Sequence, residues 1–356
     1  KQTRLKPQEN ASNLHWNGAL VFSNDSHLYT LFPDGKKTTL GNGEEAYVSP
    51  NRKWLIFVTR DDNLDPRLWL ASLGGNATEI TQMGGYVAPF VANGVHGWFS
   101  DNEVWAGTAT YDDNDLFLFN PFTNNPFTNQ IRHLIPFQEG DSPVGDCMDR
   151  DCPPLDNYIY DQALERHVFL SGDFPGGELI LQSRNGDILW SHTDSYAGWN
   201  MPQWQPGDKL LGVPMVDKND DWGEHYEIYT VSRDGHQRQL TNYTAAYPTM
   251  TVDKFSWSPN GRYIAFWGDT HSKESIAQQN PYRLFVLDTV TRQTTDYCLA
   301  GNDSNNDAPT WSPDGRQIAV NGLLLRRQRQ ILLIDLAAGT VTPLADGELI
   351  GWMTGK

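Results

Sequence analysis

The residues of this 356-residue chain that could do chemistry lie in short acidic and aromatic stretches between apolar ones. Residues 217–227 read DKNDDWGEHYE and place Asp217, Asn219 and Asp221 at alternate positions, with Glu227 further on. Alternating oxygen donors followed by an acid are the start of a calcium loop. Trp222 stands where an EF-hand loop needs glycine, so a solvated loop is the stronger reading. Calcium is the one ion the spacing would suit, and no other cofactor is expected. Asp61 and Asp62 fall in RDDNLDP, Asp112 and Asp113 in YDDND, and Tyr196 and Trp199 in TDSYAGWNM. Trp222 and His225 share the 217–227 stretch, Tyr247 falls in YTAAYPTMT, and His271 in DTHSKESIAQQNP. Aromatic and histidine side chains beside acids are the composition of a recognition surface.

Motifs of known catalytic mechanics are missing from the sequence. It holds no G-x-S-x-G elbow, phosphate-binding glycine loop, H-E-x-x-H or C-x-x-C. Gly140-Asp141-Ser142 is followed by Pro143 and has no matching His and Asp context. No catalytic residue is assigned. The chain has 27 Lys and Arg against 44 Asp and Glu, a net charge of −17. That excludes nucleic acid, which needs a basic stripe, and it would repel a polyanionic substrate. No apolar run is long enough to span a bilayer. Cys147 and Cys152 sit close together in GDCMDRDCPP, which predicts a small disulfide loop in an oxidising compartment. Cys298 is left over and reads as a small buried hydrophobe. Asn-x-Ser/Thr sequons stand at Asn10, Asn24, Asn76, Asn242 and Asn302.

A self-similar unit must position these stretches. Residues 308–320 read APTWSPDGRQIAV and 255–266 read FSWSPNGRYIAF. Weaker copies are AYVSPNRKWLIF (46–57), GWFSDNEVWA (97–106) and PQWQPGDKLLG (202–212). Each is an apolar segment, a tight turn and a second apolar segment, so each predicts two antiparallel strands. Two more strands follow each copy, for example RLWLASL with ATEIT, or QILLIDL with TVTPLA. Seven such units account for the chain. One four-stranded sheet cannot bury both faces, whereas radial stacking does. The prediction is an all-β, seven-bladed β-propeller of four-stranded antiparallel blades, with six or eight blades as alternatives. The first unit lacks an inner strand and GELIGWM (347–353) is a spare one, so the C-terminal strand is expected to complete the first blade. Residues 1–13 read as a polar tether and 14–356 as one propeller domain with an insertion at about 136–157. The start at Lys1 is what a trimmed precursor would leave.

WSPDGRQIAV and WSPNGRYIAF resemble the WD-like propeller repeat of the TolB, dipeptidyl peptidase and tricorn protease families. The resemblance implies a propeller in an extracytoplasmic setting: periplasmic, secreted or tethered at a surface. It implies no particular ligand. Peptidase propellers carry a separate α/β-hydrolase domain, and this sequence holds no nucleophile elbow for one. In a propeller the loops between second and third strands share a face with the blade-to-blade loops. The stretches named above would therefore gather at the channel mouth. The expected function is non-catalytic binding of a protein, peptide or glycan. The alternative is a metal-assisted lyase or glycoside-active enzyme with its site at that mouth.

Overall fold

The computed structural model describes residues 2–8, 15–43, 45–60, 66–79, 95–107, 116–123, 132–133, 159–171, 177–193, 202–216, 225–270, 282–301, 307–323 and 330–355. Every regular element among them is a β-strand. Seven antiparallel four-stranded blades, six of consecutive strands and one closed by the C-terminal strand, make the chain a seven-bladed β-propeller. The chain divides into two compact units, residues 14–156 with 349–356 and residues 1–13 with 157–348.

The smaller unit holds three blades. Blade 1 is ordered β29 (Glu348–Met353), β2 (Ala19–Asn24), β3 (His27–Leu31), β4 (Lys37–Asn42). The C-terminal strand thus supplies the missing inner strand, as the spare GELIGWM predicted. Its Trp352 is 1% exposed and its indole donates to the Asn17 carbonyl at 2.8 Å. Gly18 allows this closure: its φ is +92°, and a Cβ there would lie 1.9 Å from the Met353 carbonyl oxygen. Blade 2 is β5 (Glu45–Val48), β6 (Trp54–Arg60), β7 (Pro66–Ser72), β8 (Thr78–Glu79), and blade 3 is β9 (Val95–Trp98), β10 (Val104–Gly107), β11 (Leu116–Phe119), β12 (Arg132–His133).

The larger unit holds four blades. Blade 4 is β13 (Ile159–Tyr160), β14 (Arg166–Ser171), β15 (Glu178–Ser183), β16 (Ile188–Thr193). Blade 5 is β17 (Gln203–Trp204), β18 (Leu210–Val216), β19 (Tyr226–Ser232), β20 (Gln237–Gln239). Blade 6 is β21 (Thr251–Trp257), β22 (Tyr263–Asp269), β23 (Tyr282–Asp288), β24 (Gln293–Ala300). Blade 7 is β25 (Thr310–Trp311), β26 (Gln317–Gly322), β27 (Gln330–Asp335), β28 (Thr340–Asp346). Outside β28 lies β1 (Lys6–Pro7), paired parallel with it. Residues 2–8 of the segment read as a tether are therefore tied to the rim of this unit. The insertion at about 136–157 lies outside the described residues.

The recurring turn explains why weak copies still fold. The first turn residue accepts an N–H from the residue three further on. The donors are Arg52 to Ser49 (2.8 Å), Leu164 to Asp161 (3.0 Å), Asp208 to Gln205 (2.8 Å), Gly261 to Ser258 (2.8 Å) and Gly315 to Ser312 (2.9 Å). All five donors have positive φ, between 52° and 69°. Glycine fits that conformation at no steric cost, and the strong copies have it. Where the turn begins with serine the hydroxyl is buried and gathers the next strand's N–H. Ser312 accepts from Gln317 at 2.9 Å and Arg316 at 3.1 Å, and donates to Asp314 at 2.7 Å. Ser312→Ala strands the Gln317 N–H in the core, so a loss of about 1–2 kcal/mol is expected in chemical denaturation.

The repeat tryptophan joins blades. Trp98 donates to the Tyr47 carbonyl (2.9 Å), Trp257 to Gln203 (3.0 Å) and Trp311 to Ser256 (3.3 Å). Each bond runs from one inner strand to the inner strand of the preceding blade. Apolar faces close the same seams. Ile264, Phe266 and Phe285 of blade 6 pack with Tyr226 and Ile228 of blade 5, and Trp267 and Leu284 pack with Ile318 and Leu332 of blade 7.

Candidate functional site

Alternation of strand direction sorts the connections within each blade. The first and third hairpins lie at one edge of the sheet. The second-to-third-strand loop and the start of the next blade-to-blade loop lie at the other. The repeat turns occupy the first edge, so the second is left to the non-repeating loops. Most residues proposed for binding lie outside the described residues: Asp61, Asp62, Asp112, Asp113, Tyr196, Trp199, Trp222 and His271. So do the metal candidates Asp217, Asn219 and Asp221 and the cysteines Cys147 and Cys152. His225, Tyr247 and Glu227 are described, and all three meet at one loop.

That loop is residues 241–250, joining β20 to β21. Glu227 is the second residue of β19 and has no exposed surface. Its carboxylate accepts from the Thr241 hydroxyl at 2.5 Å, the Thr244 N–H at 2.9 Å and the Thr244 hydroxyl at 3.2 Å. The Thr241 hydroxyl in turn accepts from the Ile228 N–H at 2.8 Å. Glu227, one of the metal candidates of the sequence, anchors the loop. Both its oxygens are engaged, which satisfies a charge that would otherwise be costly to bury. Among the described residues no group of three or more His, Cys, Asp and Glu side chains forms a metal site.

The far end of the loop is tied as closely. Nε2 of His225 donates to the Pro248 carbonyl at 2.6 Å, and the Tyr226 N–H donates to Met250 at 2.6 Å. Inside the loop the Ala246 and Tyr247 N–H groups donate to the Tyr243 carbonyl at 2.8 and 2.9 Å. Tyr243 is buried, shares a hydrogen bond with Thr294 at 2.8 Å and lies 6.1 Å from the Phe266 ring. Burial drives its hydroxyl pKa far up. Tyr247 is half-buried and meets Phe285 edge-on with centroids 6.2 Å apart. Its pKa is also raised, first by burial and then by the Asp296 charge, with Arg283 opposing. The loop is thus a fixed ledge with one aromatic face half open.

Beneath it lies a charge pair that the sequence reading missed. Arg283 and Asp296 are 3% and 1% exposed and 3.2 Å apart. Arg283 also donates to the Thr270 hydroxyl at 3.0 Å and lies over the Phe285 ring, 5.8 Å from its centroid. Asp296 accepts the Cys298 N–H at 2.8 Å. One signal was available. YEIYTVS and YRLFVLD each set a charged residue second in the third strand, just ahead of its largely apolar middle, and that placement marks a buried, partnered charge.

Asp253, on the inner strand after the loop, has a pKa raised to about 6 by burial, with Lys254 opposing. A carboxyl whose folded pKa exceeds its unfolded value opposes folding while ionised. Stability should rise as pH falls through about 6 and level off below the ordinary carboxylate value. After discount for partial exposure, Asp253→Asn is expected to stabilise by about 1–2 kcal/mol at pH 7.5. Urea denaturation of both proteins at pH 7.5 and pH 5 checks this, the gap closing at the lower pH.

No protein-family model matches the chain. Among solved structures it is similar to TolB from Acinetobacter baumannii, at 13% identity over 95% of this chain and 67% of that one, with a TM-score of 0.47. It is also similar to a puromycin-hydrolyzing peptidase of Mycobacterium tuberculosis, at 13% identity over 97% of this chain and 56% of that one, TM-score 0.51. A puromycin hydrolase aligns at 15% identity over 97% and 57%, TM-score 0.53. At these identities the likeness is one of fold alone. The chain spans little more than half the length of the two hydrolases. Their activity belongs to them, and what this propeller does must be argued from its own edge.

Proposed function

We propose that this chain is a non-catalytic, extracytoplasmic binding propeller. Its acidic and aromatic loop edge takes a protein, peptide or glycan. The observation that carries the reading is the 241–250 ledge. Glu227, His225 and Thr294 hold it by side chain while Tyr247 keeps part of its ring open. A pre-ordered aromatic loses little entropy on binding, which is what a recognition residue needs. The acidic stretches around the ledge in sequence favour a ligand with cationic or hydroxyl groups over a polyanion.

Arrays of glycans and of peptides probed with the purified chain test this. Tyr247→Ala is expected to weaken the bound class at least tenfold. Val290→Ala, 70% exposed at the opposite edge of blade 6, should leave it unchanged. Equal effects of the two substitutions would place binding elsewhere and overturn the assignment.

A further inference from the structure

We propose that the outer edge of β28 is an exchangeable binding site for an extended peptide with an apolar residue between basic ones, filled in this structure by the chain's own residues 2–8. It goes beyond the loop-edge reading and does not depend on it.

The segment is held as an added strand. Three of its backbone N–H groups donate outward from the segment: Thr3 to Asp296 (2.8 Å), Lys6 to Gly339 (2.9 Å) and Gln8 to Val341 (2.9 Å). The register is parallel, Lys6 opposite Thr340 and Pro7 opposite Val341. Gln2 adds a bridge to Asp296. Backbone ladders of this kind read extension, not sequence. Sequence enters through one apolar contact. Leu5 packs against the core cluster that contains Val341, Ile334 and Ile318. Thr3 and Leu5 are half-buried while Arg4 and Lys6 are exposed, the alternation of a strand laid on a sheet edge.

Two features make the site exchangeable. The hold is slight: a few backbone bonds, a 3.5 Å bond from the Gln2 amide to Asp296 of β24, and the half-buried Thr3 and Leu5 are set against the ordering of a seven-residue segment. The edge also takes only one strand. Lys6 and Gln8 turn their N–H groups to β28, so position 7 faces outward, and proline there has no N–H to offer a further strand. A competing peptide must displace the segment. Charge selects the competitor. The segment KQTRLKPQ carries three basic residues and no acid, on a chain whose net charge is −17.

The probe is a fluorescein-labelled KQTRLKPQ peptide, read by anisotropy against the full chain. Leu5→Asp removes the apolar contact, and Lys6→Pro removes the bond to Gly339 while leaving Leu5 in place. Both variants are expected to bind the peptide at least tenfold more tightly than the unsubstituted chain, whose edge is occupied. A peptide with Asp in place of its leucine should bind at least tenfold more weakly. The proposal is overturned if neither variant takes the peptide, if all three proteins bind it alike, or if the Asp peptide binds equally well.

Discussion

Arg283→Met is expected to destabilise the larger unit by about 3–5 kcal/mol, because it leaves the Asp296 carboxylate buried without its partner. The two side chains are 4% and 1% exposed, so water cannot replace the lost guanidinium. Asp296 would keep the Cys298 N–H, which offsets only part of the cost. The double variant Arg283→Met with Asp296→Leu is expected to recover most of the loss, since it removes both charges from the interior. Chemical denaturation of the two single variants and the double variant measures the coupling. A single-variant cost under about 1 kcal/mol would mean the pair behaves as a surface ion pair. The substitution should also reach the ledge: Arg283 lies over Phe285, and Phe285 supports Tyr247. Ligand binding through Tyr247 should therefore weaken in the single variant.

Trp352→Ala should cost the smaller unit about 3–5 kcal/mol through the cavity and the lost indole bond to Asn17. The effect should be confined. Hydrogen exchange should quicken in β2, which neighbours the C-terminal strand, in β3 beyond it, and in the blade 2 turn, where the Thr354 N–H donates to Arg52 at 2.7 Å. Strands β22, β23 and β27 of the larger unit should keep their protection. Equal loss of protection in both units would show that they open together.

The blade plan was legible because it rests on local chemistry repeated many times. A left-handed turn residue, a serine that gathers the next N–H and alternating apolar strands are each readable within about a dozen residues. Even degenerate copies kept the turn, with Arg52, Leu164 and Asp208 adopting the positive φ that glycine adopts elsewhere. The closing strand was readable by subtraction, from a first blade one strand short and a spare segment at the end. The candidate site was only partly legible. Composition singled out His225 and Tyr247, and the structure shows that both meet at the 241–250 connection. It gave Glu227 as a metal candidate beside the stronger reading of a solvated loop, and a carboxylate's neighbours in sequence say nothing about Thr241 and Thr244, which reach it from the next connection.

The sequence by itself determined the class of fold, the four-strand plan of each blade, and the edge left free for non-repeating loops. These follow from periodicity and turn chemistry, which act over short separations. Only the tertiary structure decided which charged residues are buried and by what they are paired. It alone showed that residues 2–8 lie along β28, and that Trp257 and Trp311 bind the preceding blade's carbonyls as well as filling space. Those facts depend on contacts across separations from 13 positions, for Arg283 and Thr270, to 294, for Gln2 and Asp296. A desolvated charge or an edge strand takes whatever partner the packing brings, and one chain's local pattern carries no record of it.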